Sequence, residues 1–235
     1  MNGKPSISAV LPAYNEEANL ERAVRGLATV LQEVTRESEI IVVDDGSRDG
    51  TSALLSELSQ YVPALRVISH PVNRGYGAAV RSGFAAARLE WVFMMDADNQ
   101  FDPAQLRLLL AKSENADIVA GYRRKRQDPL ARRLNAWAFF SLVSVLFGRL
   151  ATDVNCAFKL IRRSLLEKLD LRSEGALINA ELLVGARKRR ARIVEVAVEH
   201  FPRTAGRQTG ANPRVVVRAF RELFKFWRRI RREQP

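Results

Sequence analysis

A chain of 235 residues, 47% of them hydrophobic, is long enough to bury a substantial core within one domain. Its single cysteine, Cys156, excludes an internal disulfide framework, and with only His70 and His200 beside it a cysteine–histidine zinc site is excluded as well. The net charge of +12 is unevenly spread: residues 1–120 carry 11 Lys+Arg against 16 Asp+Glu, residues 121–235 carry 27 against 10, and so the second half suits nucleic acid, anionic lipid or a phosphorylated substrate.

The N-terminus has no long apolar stretch before its first strand pattern, and no run reaches the ~20 apolar residues of a spanning helix, which predicts a cytoplasmic protein. Ile7 to Leu11 reads as a strand broken by Pro12, followed by Tyr14-Asn15-Glu16-Glu17 and then apolar residues at helical spacing (Leu20, Val24, Leu27, Val30, Leu31). Glu39 to Val43, rich in β-branched residues, predicts a second buried strand running into Asp44-Asp45-Gly46-Ser47. These acids suit either turn and cap chemistry or bonds to a base or ribose. Leu65 to Ile68 is a third strand, followed by NRGYGAAVRSGFAAAR. There Gly75 and Gly77 read either as an ordinary turn or as a close backbone approach to phosphate at a helix start. Val80 stands where a dinucleotide fingerprint needs its third glycine, which excludes a nicotinamide site of that kind.

The most informative stretch is Trp91 to Pro103. An apolar run ends in Asp96-Ala97-Asp98, then Asn99-Gln100, then Asp102-Pro103 at the start of a helical pattern. Ten Asp in 235 residues give about 0.4 Asp-x-Asp pairs by chance, so the context carries the weight. As strand residues two apart, the aspartates are expected to share a face, and like charges side by side want a cation. Carboxylate oxygens are hard ligands, which points to Mg²⁺ or Mn²⁺ holding a diphosphate. With Ala116 to Ala120 as a fifth strand, the first 120 residues alternate strand and helix, and this predicts an α/β fold with a mostly parallel central sheet flanked by helices.

Gly121 opens a basic linker, YRRKRQDPLARR, leading to LNAWAFFSLVSVLFGRL, a segment that suits a core helix or one in a membrane interface. Asp153 precedes an alternating strand pattern from Ala157 to Ile161; Leu177 to Arg190 is helical, Arg192 to Val198 is another strand, and HFPRTAGRQTGANPR is a basic, glycine-containing loop. In the tail Val216, Phe220, Leu223, Trp227 and Ile230 repeat at helical spacing among arginines. Such a helix either lies on an anionic membrane surface or packs on its own domain or a partner. The expected division is a catalytic domain over 1–210 and a basic amphipathic C-terminal helix over 211–235.

LPAYNEE (Leu11–Glu17), VVDDGSRDGT (Val42–Thr51), NRGYGAA (Asn73–Ala79), MDADNQFDP (Met95–Pro103) and FPRTAGRQTG (Phe201–Gly210) together resemble the family-2 inverting glycosyltransferases, and within them the dolichyl- or polyprenyl-phosphate mannosyl- and glucosyltransferases. The resemblance implies a GT-A fold, a nucleotide-sugar donor of GDP-mannose or UDP-glucose type, and a divalent metal. By matched position it implies that Pro12, Tyr14, Glu16 and Asp44 line a nucleoside pocket, with Asn73, Gly75, Gly77 and Ala97 also in the donor-binding set. Asp96, Asp98 and Gln100 would surround the metal and diphosphate, and Arg123, Arg133, Arg203 and Arg207 would lie near phosphates. The loop reads AGRQTG where many relatives have a Gly-x-Ser-Lys pattern. The implied acceptor is a polyprenyl phosphate, reached by peripheral attachment to the cytoplasmic face of an anionic membrane or through a membrane partner. A sugar-hydroxyl acceptor is the alternative, with Asp153 as base by family position. Nucleic-acid binding is not expected: the chain lacks zinc spacing, a helix-turn-helix signal and an aromatic ribonucleoprotein motif.

Overall fold

The computed structural model describes residues 3–124, 141–203, 205 and 213–232, with side chains of the last segment described from 220 onward. Seven strands form one sheet: β1 (Ser6–Ala13), β2 (Glu37–Asp44), β3 (Leu65–Ser69), β4 (Trp91–Met94), β5 (Ile118–Arg123), β6 (Lys159–Arg162) and β7 (Ile193–Val198), in the order β3-β2-β1-β4-β6-β5-β7. β1 pairs in parallel with β2 and β4, β2 with β3, and β5 with β7. β6 slots antiparallel between β4 and β5, a reversal that its short alternating pattern did not encode. The expectation of a mostly parallel sheet holds.

Every residue of β1 and β4 is buried, as a central strand covered on both faces requires. Period-two alternation sends Ile7, Ala9 and Leu11 into one core with α1 (Glu17–Val34) and α2 (Thr51–Tyr61), while Val10, Val92 and Met94 enter a second core with α3 (Tyr76–Ala86) and α7 (Ile178–Lys188). Between these lie α4 (Leu106–Leu110, entered through a 3-10 turn at Pro103–Gln105), α5 (residues 141–147) and α6 (Arg163–Leu166). Asp102 caps that turn by accepting from the Ala104 N–H at 2.8 Å, as the Asp-Pro signal predicts.

The last element, α8 (Pro213–Arg232), buries Leu223 and Phe226 in the second core, with Ile230 packed against it. Glu222 accepts the Gly175 N–H at 3.2 Å, and Arg229 pairs with the buried Glu181. The tail helix therefore packs on its own domain, and a division at 210/211 separates elements that share a core. The seam differs from the predicted stripe: Phe220 faces out and Phe226 faces in.

The chain crosses from one side of β1 to the other between β3 and β4, so the loops after β1, β2 and β4 open side by side at the carboxyl ends of the parallel strands. Open α/β sheets bind ligands at such a switch point.

Candidate active site at the carboxyl ends of the central strands

Two loops form the first wall. After β1, Asn15 adopts φ 54°, its N–H donates to Ser47 Oγ (2.9 Å), and its Oδ1 accepts the Arg48 N–H (2.8 Å). After β2, buried Asp44 accepts the Ser47 N–H through Oδ1 at 2.9 Å. The motifs around Tyr14 and Asp44 are thus stitched into one surface, with Pro12 buried in β1 and Tyr14 partly open.

Asp45 has a different task. Its Oδ1 lies 2.6 Å from His70 Nδ1 and accepts the Arg74 N–H (3.0 Å), its Oδ2 accepts the Gly75 N–H (2.8 Å), and His70 Nε2 reaches Ser82 Oγ (2.9 Å). This buried carboxylate fixes the glycine loop, a role the sequence left among turn and cap options; His70, outside every motif, is its partner. Asn73 stays exposed, and Gly75 takes φ 105° at the start of α3. The close approach at Gly77 is to the protein itself. A Cβ there would sit 2.6 Å from the carbonyl oxygens of Ser173 and Gly175, and the Gly77 N–H already donates to Glu174 O at 2.8 Å.

The aspartate pair lies just beyond β4, which ends at Met94, so the two carboxylates sit on a loop rather than on alternating strand positions, and Asn99 (φ 58°) turns the chain directly after them. Asp98 Oδ1 accepts the Gln100 N–H (3.1 Å), and its Oδ2 is 3.7 Å from Arg203 Nη1. Asp96 Oδ1 is enclosed and makes no hydrogen bond. Burial, and then the Asp98 charge, raise the Asp96 pKa from 3.8 to about 7, against the opposing pull of Tyr76, Lys159 and Arg123. Among the described residues no group of three or more His, Cys, Asp and Glu gathers to hold a metal, so the acidic donors on offer here are this carboxylate pair. Mg²⁺ or Mn²⁺ fits it: such ions take one or two carboxylates and complete their shell with water and phosphate oxygens, and an enclosed carboxylate oxygen lacking a donor is what a cation would satisfy. Gln100 is anchored to the loop after β7 on both sides, its Nε2 donating to Phe201 O (3.1 Å) and its backbone carbonyl accepting the Phe201 N–H (2.9 Å), and neither bond uses its side-chain Oε1. Ala97 turns its side chain into the first core.

Arg203 is fastened to Glu16 through Nη2, at 2.7 Å to each carboxylate oxygen, and through Nε to Ala205 O at 2.6 Å. Arg123, at the end of β5, forms a two-pronged pair with Asp153: Nε to Oδ2 at 2.6 Å and Nη2 to Oδ1 at 2.8 Å, both side chains less than a tenth exposed. Sequence reasoning named both residues without joining them. It missed Lys159, fully buried at the start of β6, whose ammonium pKa is lowered by desolvation. Arg133 and Arg207 lie outside the described residues.

The family described as "Glycosyl transferase family 2" matches residues 8–170. The chain is 31% identical over 203 residues to the undecaprenyl-phosphate 4-deoxy-4-formamido-L-arabinose transferase of Salmonella choleraesuis (strain SC-B67), covering 85% of this chain and 61% of that protein, and the Salmonella typhimurium (strain LT2) protein of the same name matches at the same level. The chain thus spans about three-fifths of the length of these curated relatives. In fold it is similar to the Mycobacterium tuberculosis glucosyl-3-phosphoglycerate synthase in complex with Mn²⁺, UDP-glucose and phosphoglyceric acid, with a TM-score of 0.74, 24% identity, and coverage of 95% of this chain and 80% of that one. The likeness agrees with the expected GT-A architecture. With more than half of its length matched, the chain belongs to glycosyl transferase family 2.

Proposed function

We propose that this chain transfers a hexose from a nucleotide-sugar donor, of GDP-mannose or UDP-glucose type, to a polyprenyl phosphate with inversion, at the cytoplasmic face of a membrane. The observation that carries the choice of acceptor is the Arg123–Asp153 fork. A general base needs a carboxylate oxygen able to take a proton, and both oxygens of Asp153 are engaged by a guanidinium. A phosphate monoester has a second pKa near ~6 and arrives already ionised, so it attacks without a side-chain base. The name of the Salmonella relatives, an undecaprenyl-phosphate sugar transferase, supports the same reading.

Transfer breaks the bond between the sugar and the diphosphate while positive charge grows on the sugar, so the main task is to stabilise the leaving group. A bound Mg²⁺ or Mn²⁺ would supply Lewis-acid neutralisation of the diphosphate, held by Asp96, Asp98 and Gln100. Arg203, beside Asp98, would orient and neutralise phosphate oxygens. The stitched Tyr14–Glu16 and Asp44–Ser47 loops would present the nucleoside pocket, with Asp44 keeping its second oxygen for the nucleoside.

No helix among the described residues is long and apolar enough to cross a membrane. Membrane attachment is read instead on the outer face of α8, where exposed Phe224 stacks on Trp227 (5.8 Å) and Arg231 lies over the Trp227 ring (4.9 Å). Beside it a groove of about 310 Å³ between α5, α7 and α8, floored by Phe147, Val184 and Ile230 and rimmed by Arg187 and Lys188, suits an anionic amphiphile.

The acceptor reading is tested by the rate at saturating donor as a function of pH, for the wild type and Asp153→Asn. A lipid-phosphate acceptor gives a rise to a plateau above about pH 6 in both proteins. A loss of about 10³-fold or more in Asp153→Asn, with wild-type melting, would instead favour a hydroxyl acceptor with Asp153 as base.

A further inference from the structure

The groove between α5, α7 and α8 is built in a way that attachment by surface charge alone does not need. Its floor is apolar, and its charged lining is all basic: Arg187 and Lys188 from α7 and Arg231 from α8, with no carboxylate among the residues that line it. Arg187 Nη1 donates to Phe147 O (3.3 Å) and Arg149 O (3.2 Å), and Gly148 between them takes φ 74°, so the chain folds over the guanidinium. Nε and Nη2 of this fixed group remain to donate to an anion. Arg231 lies over the Trp227 ring at 4.9 Å. Arg229 on the same helix is paired with Glu181, whereas among the described residues no carboxylate pairs with Arg187 or Arg231.

The topology separates this groove from the catalytic centre. α7 ends at Lys188 and β7 begins at Ile193; β7 runs parallel to β5, and β5 runs with β4 because β6 is antiparallel to both. The basic rim therefore sits near the amino ends of the strands. The six residues of β7, at about 3.3 Å each, put roughly 20 Å of strand between it and the loop that carries Arg203. A phosphate held by Arg187 and Arg231 is thus not the one that attacks at the carboxylate pair, and a basic rim is the wrong lining for the apolar tail of an acceptor whose head lies there. The helices that border the groove also expose apolar side chains: Val145 on α5 is 81% exposed and Phe224 on α8 is 56% exposed. A lipid whose chains continue into a bilayer has a use for such neighbours, and a free phosphate has none.

We propose that the groove binds the headgroup phosphate of an anionic membrane phospholipid through Arg187 and Arg231, at a site separate from that of the acceptor. The proposal rests on the reading that this side of the molecule meets a membrane. A lipid held there fixes the rotation of the domain about α8, which the outer face of a single helix cannot do alone.

The experiment titrates the full chain by calorimetry with dihexanoyl phosphatidylglycerol below its micelle concentration, so that no bilayer is present, and with dihexanoyl phosphatidylcholine and inorganic phosphate for comparison. Saturable binding of phosphatidylglycerol is expected, with the other two at least about tenfold weaker. Arg231→Gln, a change at an exposed side chain, and Arg187→Gln should each weaken it roughly tenfold or more through loss of a charge-assisted contact. Arg187→Gln also gives up its bonds to two carbonyls, so Arg231→Gln decides if the former melts lower. Absence of binding, equal affinity for phosphatidylcholine, or wild-type affinity in Arg231→Gln would overturn the proposal. So would a rise in the apparent KM for a short polyprenyl phosphate at saturating phosphatidylglycerol, which would make the groove the acceptor's own seat. Monomer binding without sedimentation on anionic liposomes would refute the attachment reading and uphold the headgroup site; sedimentation without monomer binding would do the reverse.

Discussion

Arg203 Nη2 donates to both carboxylate oxygens of Glu16 at 2.7 Å, joining residues 187 positions apart, while its Nη1 lies 3.7 Å from Asp98 Oδ2. One guanidinium therefore serves a carboxylate from the loop after β1 and one from the loop after β4. A donor diphosphate arriving at Asp98 would meet an arginine already aimed at the site, and Glu16 keeps it there.

Arg203→Ala should lower kcat/KM by roughly 10- to 150-fold, the equivalent of about 1.5–3 kcal/mol for a charge-assisted contact. It should also lower the melting temperature, because Glu16, about 12% exposed in the intact pair, would lose the guanidinium that neutralises it. Arg203→Lys keeps the charge but not the two-oxygen reach and should fall between. Kinetics matching the wild type in Arg203→Ala would remove this residue from the site.

The raised pKa of Asp96 sets a pH signature. A carboxyl that moves from 3.8 to about 7 on folding binds its proton more tightly in the folded state, so its contribution to stability falls as pH rises from about 4 to about 7. Glu39, Asp49 and Asp170 have lowered pKa values and act oppositely, losing stability as pH falls through the ordinary carboxylate range. The difference in melting temperature between wild type and Asp96→Asn in EDTA isolates the Asp96 effect: the variant should gain on the wild type between pH 5 and 8. Because proton and cation compete for the same carboxylate, apparent Mn²⁺ affinity should weaken as pH drops below about 7. A pH-independent difference would contradict the placement of Asp96.

Gly77→Ala puts a Cβ 2.6 Å from two backbone oxygens, which cannot give way as a flexible side chain could. A cost of about 1–3 kcal/mol is expected, read as a drop of several degrees in melting temperature. Gly26→Ala is the contrast: its Cβ meets nothing closer than Pro103 Cγ at 3.9 Å, within a helix, so it should stabilise by up to about 1 kcal/mol. Equal melting of the two variants would show that the 173–175 loop does not press on α3.

Membrane attachment through α8 is best tested on its outer face, since truncation would also remove Leu223 and Phe226 from the core. Lys225→Glu with Arg228→Glu and Phe224→Ser changes exposed side chains and should leave melting unchanged. Sedimentation with anionic liposomes should drop steeply, each basic residue near such a surface contributing about 1 kcal/mol. Undiminished sedimentation would sink the attachment proposal.

What the sequence revealed follows from what is local. Strand–helix alternation over residues 1–120, the apolar run into Asp96-Ala97-Asp98 and the Asp102 cap are signals carried by neighbours in the chain. The Arg123–Asp153 fork, the Arg203–Glu16 pair and the Asp45–His70 clamp join residues 25 to 187 positions apart, and no periodicity announces such meetings. Lys159 looked like an ordinary polar residue in an alternating strand, because the acceptors that make its burial tolerable come from Val154, Cys156 and Asn179. The antiparallel insertion of β6 was hidden since a four-residue alternation reads the same in either direction. In α8 the spacing identified an amphipathic helix, but the face that meets the domain carries Leu223 and Phe226 beside the Arg229–Glu181 pair, a long-range contact absent from the local pattern, and Phe220 stays outside.

The most direct measurement is product analysis by mass after incubating the full chain with a panel of nucleotide sugars, a short polyprenyl phosphate and Mg²⁺ or Mn²⁺. The expected product is the polyprenyl phosphate carrying one hexose, formed with release of the nucleoside diphosphate and abolished both by EDTA and by Asp98→Ala. Transfer to a sugar hydroxyl but to no polyprenyl phosphate, or full transfer in EDTA, would contradict it.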